Sequence, residues 1–413
     1  MSFHISYKHK TVSYFLPWIQ WIHTYAFISG VSLGYLFIII FDILLLFVFF
    51  DHKKLITISN RPNSFLFLIL IYMLGALPIS FITSESVMIV SILNRFLKLL
   101  CVVLLVLLTN NSYIDYDSYC ESLKWLTYIA CFAVFIQFLS SKLTGGFVYF
   151  KVPFLHYTNE STEARLSGIV NSTRYGSIFT EPAYFAFLAF QFLIIQLFDE
   201  RCELKFKNVV SALAISACIV ISCSSTGIVV LMLVWGVFLL SWIRERRFTI
   251  SHFVSFFALF ILLIICSIII LRNEQLSFSL HRLTAGYERS KVVWKRLYAG
   301  FDKFLQLDVI QKIFGLGIGN IPSEFMNSVI YLLITTGCAG VLLFCIWLLK
   351  CFISTNICGK VATVVFAMLS AIDMVFFTPT LFAYAFIINK NLNYPKREIN
   401  NVQQVNLACP KNI

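Results

Sequence analysis

Charge is what this chain has least of. Charged residues make up 13% of its 413 positions, against roughly a quarter in a soluble globular domain. Acids are the scarcer kind, 20 Asp and Glu against 32 Lys and Arg, a net charge of +12. In a soluble protein that excess would suggest nucleic acid; here it fits basic loops beside a membrane, and no nucleic-acid partner is expected. No Cys-x-x-Cys pair occurs among the 12 cysteines, and most of them, including Cys101, Cys131, Cys218, Cys266 and Cys345, lie in or beside apolar runs. Neither a zinc site nor a disulfide framework is expected, and no metal is assigned. Short alternating segments are missing, which excludes a membrane barrel. An internal repeat of the kind transporters carry is also missing.

What is present is apolar sequence, 59% of the chain. Runs long enough to cross a hydrocarbon core of about 30 Å recur throughout. They fall at 12–28, 32–50, 64–82, 87–108, 123–143, 181–198, 209–222, 227–243, 253–271, 329–349 and 361–377, with a short apolar segment at 381–388. The expected fold is all-α: one polytopic membrane domain over 1–413 with about 12 transmembrane helices. The first run follows Lys8 and Lys10 without a small-residue cleavage site, so it reads as an uncleaved helix.

Lysine and arginine counts orient the chain. An inside N-terminus puts Lys53, Lys54, Arg61, Arg201, Lys205, Lys207, Arg244, Arg246, Arg247, Lys350, Lys360 and Lys390 on the cytoplasmic side. The two long polar loops, 144–180 and 272–324, then face outward.

The stretch 164–187 organises the rest. It opens with Arg165 and Arg174 and passes into an apolar helix at Thr180-Glu181-Pro182. Thr180 is the expected N-cap, and Pro182 suits the first helical turn, where its missing N–H costs nothing. Glu181 then stands at a positive helix end at the water–lipid boundary. In the second loop Arg282, Arg289, Arg296 and Lys303 recur every seven residues. On a helix they form one stripe, opposite Leu283, Tyr287, Trp294, Tyr298, Phe301 and Leu305, as in a helix lying at a membrane interface. Guanidinium forks match phosphate oxygens in pairs, so this stripe either rests on anionic headgroups or binds a phosphate-bearing lipid. His281 is either a base or another polar loop residue. Within the membrane, Asp42 and Arg95 are expected at similar depth, as a structural pair rather than in direct contact with substrate, with Lys98 able to share the partner. Asp373 falls near the outer end of its span. Gly315-Leu-Gly-Ile-Gly319 lacks the strand and third spacing of a dinucleotide fingerprint and is expected to make a tight reversal.

Several of these segments together resemble the O-antigen polymerases (Wzy-type), within the group that also holds the O-antigen ligases. Arg165-Leu-Ser-Gly168 leading to Phe179-Thr-Glu-Pro182 is similar to that family's Arg-x-x-Gly and Phe-x-Glu-Pro pattern ahead of a membrane helix. Arg165 to Gly176 and Arg289 to Gly300 match its arginine-to-glycine spacing in both outer loops. Phe314-Gly-Leu-Gly-Ile-Gly-Asn320, Asn327-Ser328, Gly337 and Gly340 resemble its closing segment, and Ser224-Ser-Thr-Gly227 its Ser-x-Thr-Gly turn without the usual arginine. The likeness covers roughly 165–344.

The resemblance implies a multi-pass protein of the bacterial inner membrane that joins polyprenyl-diphosphate-linked oligosaccharide repeat units on the outer face. It implies Glu181 as the base or positioning carboxylate and Arg165, Arg174, Arg282 and Arg289 as diphosphate ligands, with His281, Arg296 and Asp373 as further site residues. No cofactor is implied. The implied partners are the lipid-linked oligosaccharide, membrane lipid, and a flippase and a chain-length regulator. The alternatives are a ligase of the same group and a lipid-linked oligosaccharide flippase or other transporter.

Overall fold

The computed structural model describes residues 10–28, 31–51, 62–83, 89–109, 114–146, 148–157, 174–201, 206–244, 300–320 and 326–392. These are mostly helical. A helical stretch from 10, with a 3-10 turn at Leu16–Trp18, leads into α1 (Ile19–Ile22). Then follow β1 (Tyr25–Ile28), β2 (Val31–Ser32), α2 (Leu33–Asp51), α3 (Ser64–Thr83), α4 (Ile89–Thr109), α5 (Tyr116–Thr144) and β3 (His156–Tyr157). The remainder is α6 (Pro182–Phe198), α7 (Phe206–Ile221), α8 (Ser225–Arg244), α9 (Phe301–Gln306), α10 (Val309–Phe314), α11 (Ser328–Ser354), α12 (Ile357–Ile372) and α13 (Thr380–Lys390). Among the described residues α4, α5 and α11 are long and apolar enough to cross a membrane, and six shorter apolar helices accompany them.

The hub is α6. Every residue of it except Tyr184 is buried, as expected of a helix that is apolar all round and covered all round. α5, α7 and α8 pack on it from the neighbouring sequence, and α12 and α13 from the far end of the chain. The other helices sort by which end of α6 their termini reach. At the Asp199 end, Asp199 accepts from Tyr116 Oη at 2.7 Å and pairs with Arg201 at 2.8 Å. There too Asn63 donates to the Ala385 carbonyl at 3.0 Å, tying the start of α3 to α13.

The first expected span, 12–28, is not one helix. Thr24 Oγ1 donates to the Trp21 carbonyl at 2.8 Å, capping the turn that ends α1. The aromatic and β-branched residues after it extend into β1, which pairs antiparallel with β2 and with β3. A small sheet in the order β2-β1-β3 therefore joins the first turn of the chain to the 144–180 loop.

α11 is broken at Gly337 (φ 67°, ψ −172°), a conformation open essentially to glycine alone. The break frees carbonyls that need donors. Leu316 N–H donates to Ile334 O at 2.9 Å, Gly317 N–H to Thr335 O at 2.9 Å, and Tyr72 Oη to Thr336 O at 2.8 Å. The Gly315–Gly319 segment, with positive φ at Gly315, Gly317 and Gly319, is thus more than a reversal. It completes the hydrogen bonding of a split helix.

Candidate functional site

The turn before α6 is built from both sides. Phe179 N–H donates to Gly176 O at 3.1 Å, and a Cβ on Gly176 would lie 2.7 Å from the Phe179 carbonyl, so only glycine fits there. Ser177 takes a left-handed φ of 64°. Gln137, buried on α5, holds it: its Oε1 accepts from Ser177 N–H at 2.8 Å, and its Nε2 donates to Ser177 O at 3.0 Å and to Val148 O at 3.1 Å. Ser177 Oγ donates to Ala130 O at 2.6 Å, and Trp21 Nε1 to Ile178 O at 3.1 Å. Tyr175 N–H reaches Ser222 O at 3.3 Å, at the end of α7. α1, α5 and α7 all grip this turn.

The helix starts one residue later than its sequence suggests. Glu181, not Thr180, is the N-cap, in extended conformation, and Pro182 takes the first helical position. The Glu181 carbonyl accepts from Tyr184 N–H at 3.2 Å, while its side chain makes no capping bond. Among the described residues the half-buried carboxylate has no hydrogen bond or ion pair, so it does not bridge to Arg174 and pin the loop. Arg174 lies on the same turn and, with Lys142, acts on the Cys223 thiol; burial pushes that thiol up to about 11, and the two cations pull against it. Arg165, His281, Arg282, Arg289 and Arg296 lie outside the described residues, as does most of the expected helix of the second loop.

Asp373 ends α12 and is buried. Its carbonyl accepts from Ser328 N–H at 3.0 Å and Ser328 Oγ at 2.9 Å, joining α12 to the start of α11, and its Oδ1 accepts from Met374 N–H at 2.7 Å. Met374, next in the chain, meets Arg95, which the sequence pairs with Asp42. Arg95 Nη1 lies 3.8 Å from Met374 Sδ, and its guanidinium carbon 4.9 Å from the centre of the Tyr331 ring. Lys98, one turn along α4, holds its Nζ 5.5 Å from the centre of the Tyr35 ring.

Asp42 and Arg95 do not pair. α2 and α4 pack side by side and run the same way, and Lys98 stands level with Tyr35, seven residues before Asp42. Asp42 is therefore about 10 Å deeper. Both its oxygens are buried without a hydrogen-bond partner, within electrostatic reach of Cys101.

α1 links the two groups of polar residues. Trp21 holds the Glu181 turn, and two residues on, His23 bonds Ser32 at 2.8 Å and meets the Tyr35 ring edge-on at 5.0 Å. One end of the bundle thus gathers a carboxylate, Arg174, and the pair Arg95 and Lys98. The i, i+3 spacing of that pair on an inward helix face was visible in the sequence; the missing acid beside it was not. No protein-family model matches this chain, and no curated protein matches it.

Proposed function

We propose that this protein is a membrane glycosyltransferase that polymerises polyprenyl-diphosphate-linked oligosaccharide repeat units into an O-antigen or capsule-type surface polysaccharide. The reaction takes place on the outer side of the bacterial inner membrane. A hydroxyl on the terminal sugar of an incoming unit attacks the anomeric carbon of the growing chain. The new C–O bond forms as the bond to the lipid diphosphate breaks, and the leaving group takes the electron pair. The hydroxyl proton passes to the Glu181 carboxylate, or Glu181 orients the hydroxyl while water takes the proton. Arg165, Arg174, Arg282 and Arg289 hold the diphosphate and offset its growing charge.

The observation that carries this reading is the Glu181 carboxylate. Among the described residues it stands without a partner at the start of a helix covered all round, on a turn fixed by Gln137 and Trp21 that also bears Arg174. A group so rigidly placed and left uncommitted suits contact with a substrate. The test is turnover by purified protein given synthetic lipid-linked units. Glu181→Gln keeps binding and loses turnover by 10²-fold or more, the range of acid–base catalysis. Normal turnover by a well-folded Glu181→Gln protein overturns the base assignment. Cells lacking the protein should retain single repeat units and lose long chains.

A further inference from the structure

We propose that Arg95 and Lys98 form an anion site for the phosphate group of a membrane lipid. The placement on α4 comes first. Leu93 and Leu97 are exposed on its outer face, whereas Ile92, Phe96 and Leu99 are buried. Arg95 and Lys98 lie toward the inner face, half-buried, packed against α2 and α11 through Tyr35 and Tyr331. Two like charges one turn apart repel, and cations at membrane depth normally pair with an acid or face a cavity. Among the described residues neither has a carboxylate partner; ring faces, the Tyr331 hydroxyl and one thioether sulfur are what they touch. Those contacts steady the cations but leave most of the guanidinium's five donors unused.

The surroundings are made for close approach. Tyr331 Oη accepts from Gly319 N–H at 2.9 Å, and Tyr35 Oη donates to Phe377 O at 2.8 Å, so both rings are fixed. A Cβ on Gly319 would lie 2.6 Å from Ser91 O, so the glycine segment comes right against the first turns of α4. A phosphate or diphosphate supplies two charges and the paired oxygens that a guanidinium fork fits. Arg95 is about 9 Å along α4 from Ile89, toward one end of that apolar helix rather than at its middle. The exposed side chains of Leu36, Ile39, Ile40 and Ile43 on α2 offer a hydrocarbon tail a surface to follow. The inference does not depend on glycosyl transfer, since a phospholipid headgroup satisfies it as well as a carrier diphosphate.

The experiment uses full-length protein in detergent with three probes: a polyprenyl diphosphate, phosphatidylglycerol and inorganic pyrophosphate. Native mass spectrometry reads lipid binding, and acetylation of Lys98 is followed by peptide mapping. At least one lipid probe should bind and protect Lys98 several-fold. Arg95→Gln with Lys98→Gln should lose that binding by tenfold or more, whereas Arg95→Lys with Lys98→Arg should largely keep it. Preference for the polyprenyl diphosphate makes the ligand a carrier lipid; preference for phosphatidylglycerol makes it a structural lipid; protection by pyrophosphate alone overturns the lipid. Lys98 acetylation in the wild-type protein, unchanged by every probe, overturns the site even where a variant fails to fold.

Discussion

Gln137 shows how a single side chain positions the candidate site. It replaces a β-ladder: its amide satisfies both the N–H and the C=O of Ser177, and the Val148 carbonyl as well. Gln137→Leu leaves two buried backbone groups on Ser177 and the half-buried Val148 carbonyl short of a partner. The expected loss is roughly 3 kcal/mol of stability, since each orphaned group costs about 1–3 kcal/mol before relaxation. Thermal unfolding in detergent measures it, and because the Glu181 turn loosens with it, turnover should fall further than stability alone explains. Gln137→Glu, which keeps the acceptor and loses the donor, should fall between. At this scale the sequence was legible where local chemistry decides. Glu181-Pro182 announced a helix start, because proline's missing N–H and a polar residue before it belong together there. The cap was one residue off because Thr180 and Glu181 are both able to precede Pro182, and the choice rests on the turn that Gln137 holds from far along the chain. Asp42 and Arg95 were matched by sign and by a depth counted along each span; their true depths depend on how α2 slides against α4, which no residue type reveals.

α11 is the element whose sequence and structure diverge most. Hydropathy reads it as one continuous span, because a glycine among apolar residues does not lower the average. The structure divides it at Gly337 and inserts the Gly315–Gly319 segment beside the break. Gly315 and Gly337 were visible as glycines, but their shared purpose was not: each lets a backbone approach where a Cβ would meet carbonyl carbon or oxygen at 2.2 to 2.3 Å. Gly337→Ala therefore forces either the glycine segment outward or α11 straight. The expected cost is about 2 kcal/mol or more, from backbone conformation and collision together. Unfolding midpoint checks the cost. If α11 straightens, Tyr331 shifts under Arg95, and lipid binding falls in the same variant. Ala at exposed Leu342, on the same helix, should change neither.

For the molecule as a whole, the helical, apolar character was legible, since long apolar runs carry their own signal; among the described residues three helices are long and apolar enough to cross a membrane, and the expected span 253–271 lies outside those residues. The packing order was not. Among the described helices the ends alternate between the two ends of α6, and with an inside N-terminus this would put Glu181 on the outer face. A cysteine at Phe154, 97% exposed, should then react with an impermeant maleimide in intact cells when native cysteines are replaced. One at exposed Glu200 should react only after permeabilisation. The reverse pattern inverts the orientation. Burial of α6 also has a consequence in time. Tyr384 on α13 is among its last covers, its Oη reaching Phe187 O at 3.3 Å. Translation delivers α13 almost two hundred residues after α6, so the hub waits in the bilayer with one flank bare while the ribosome finishes. A nascent chain stopped short of α13 is an unfinished assembly, and quality control should degrade it however intact its Glu181 turn is.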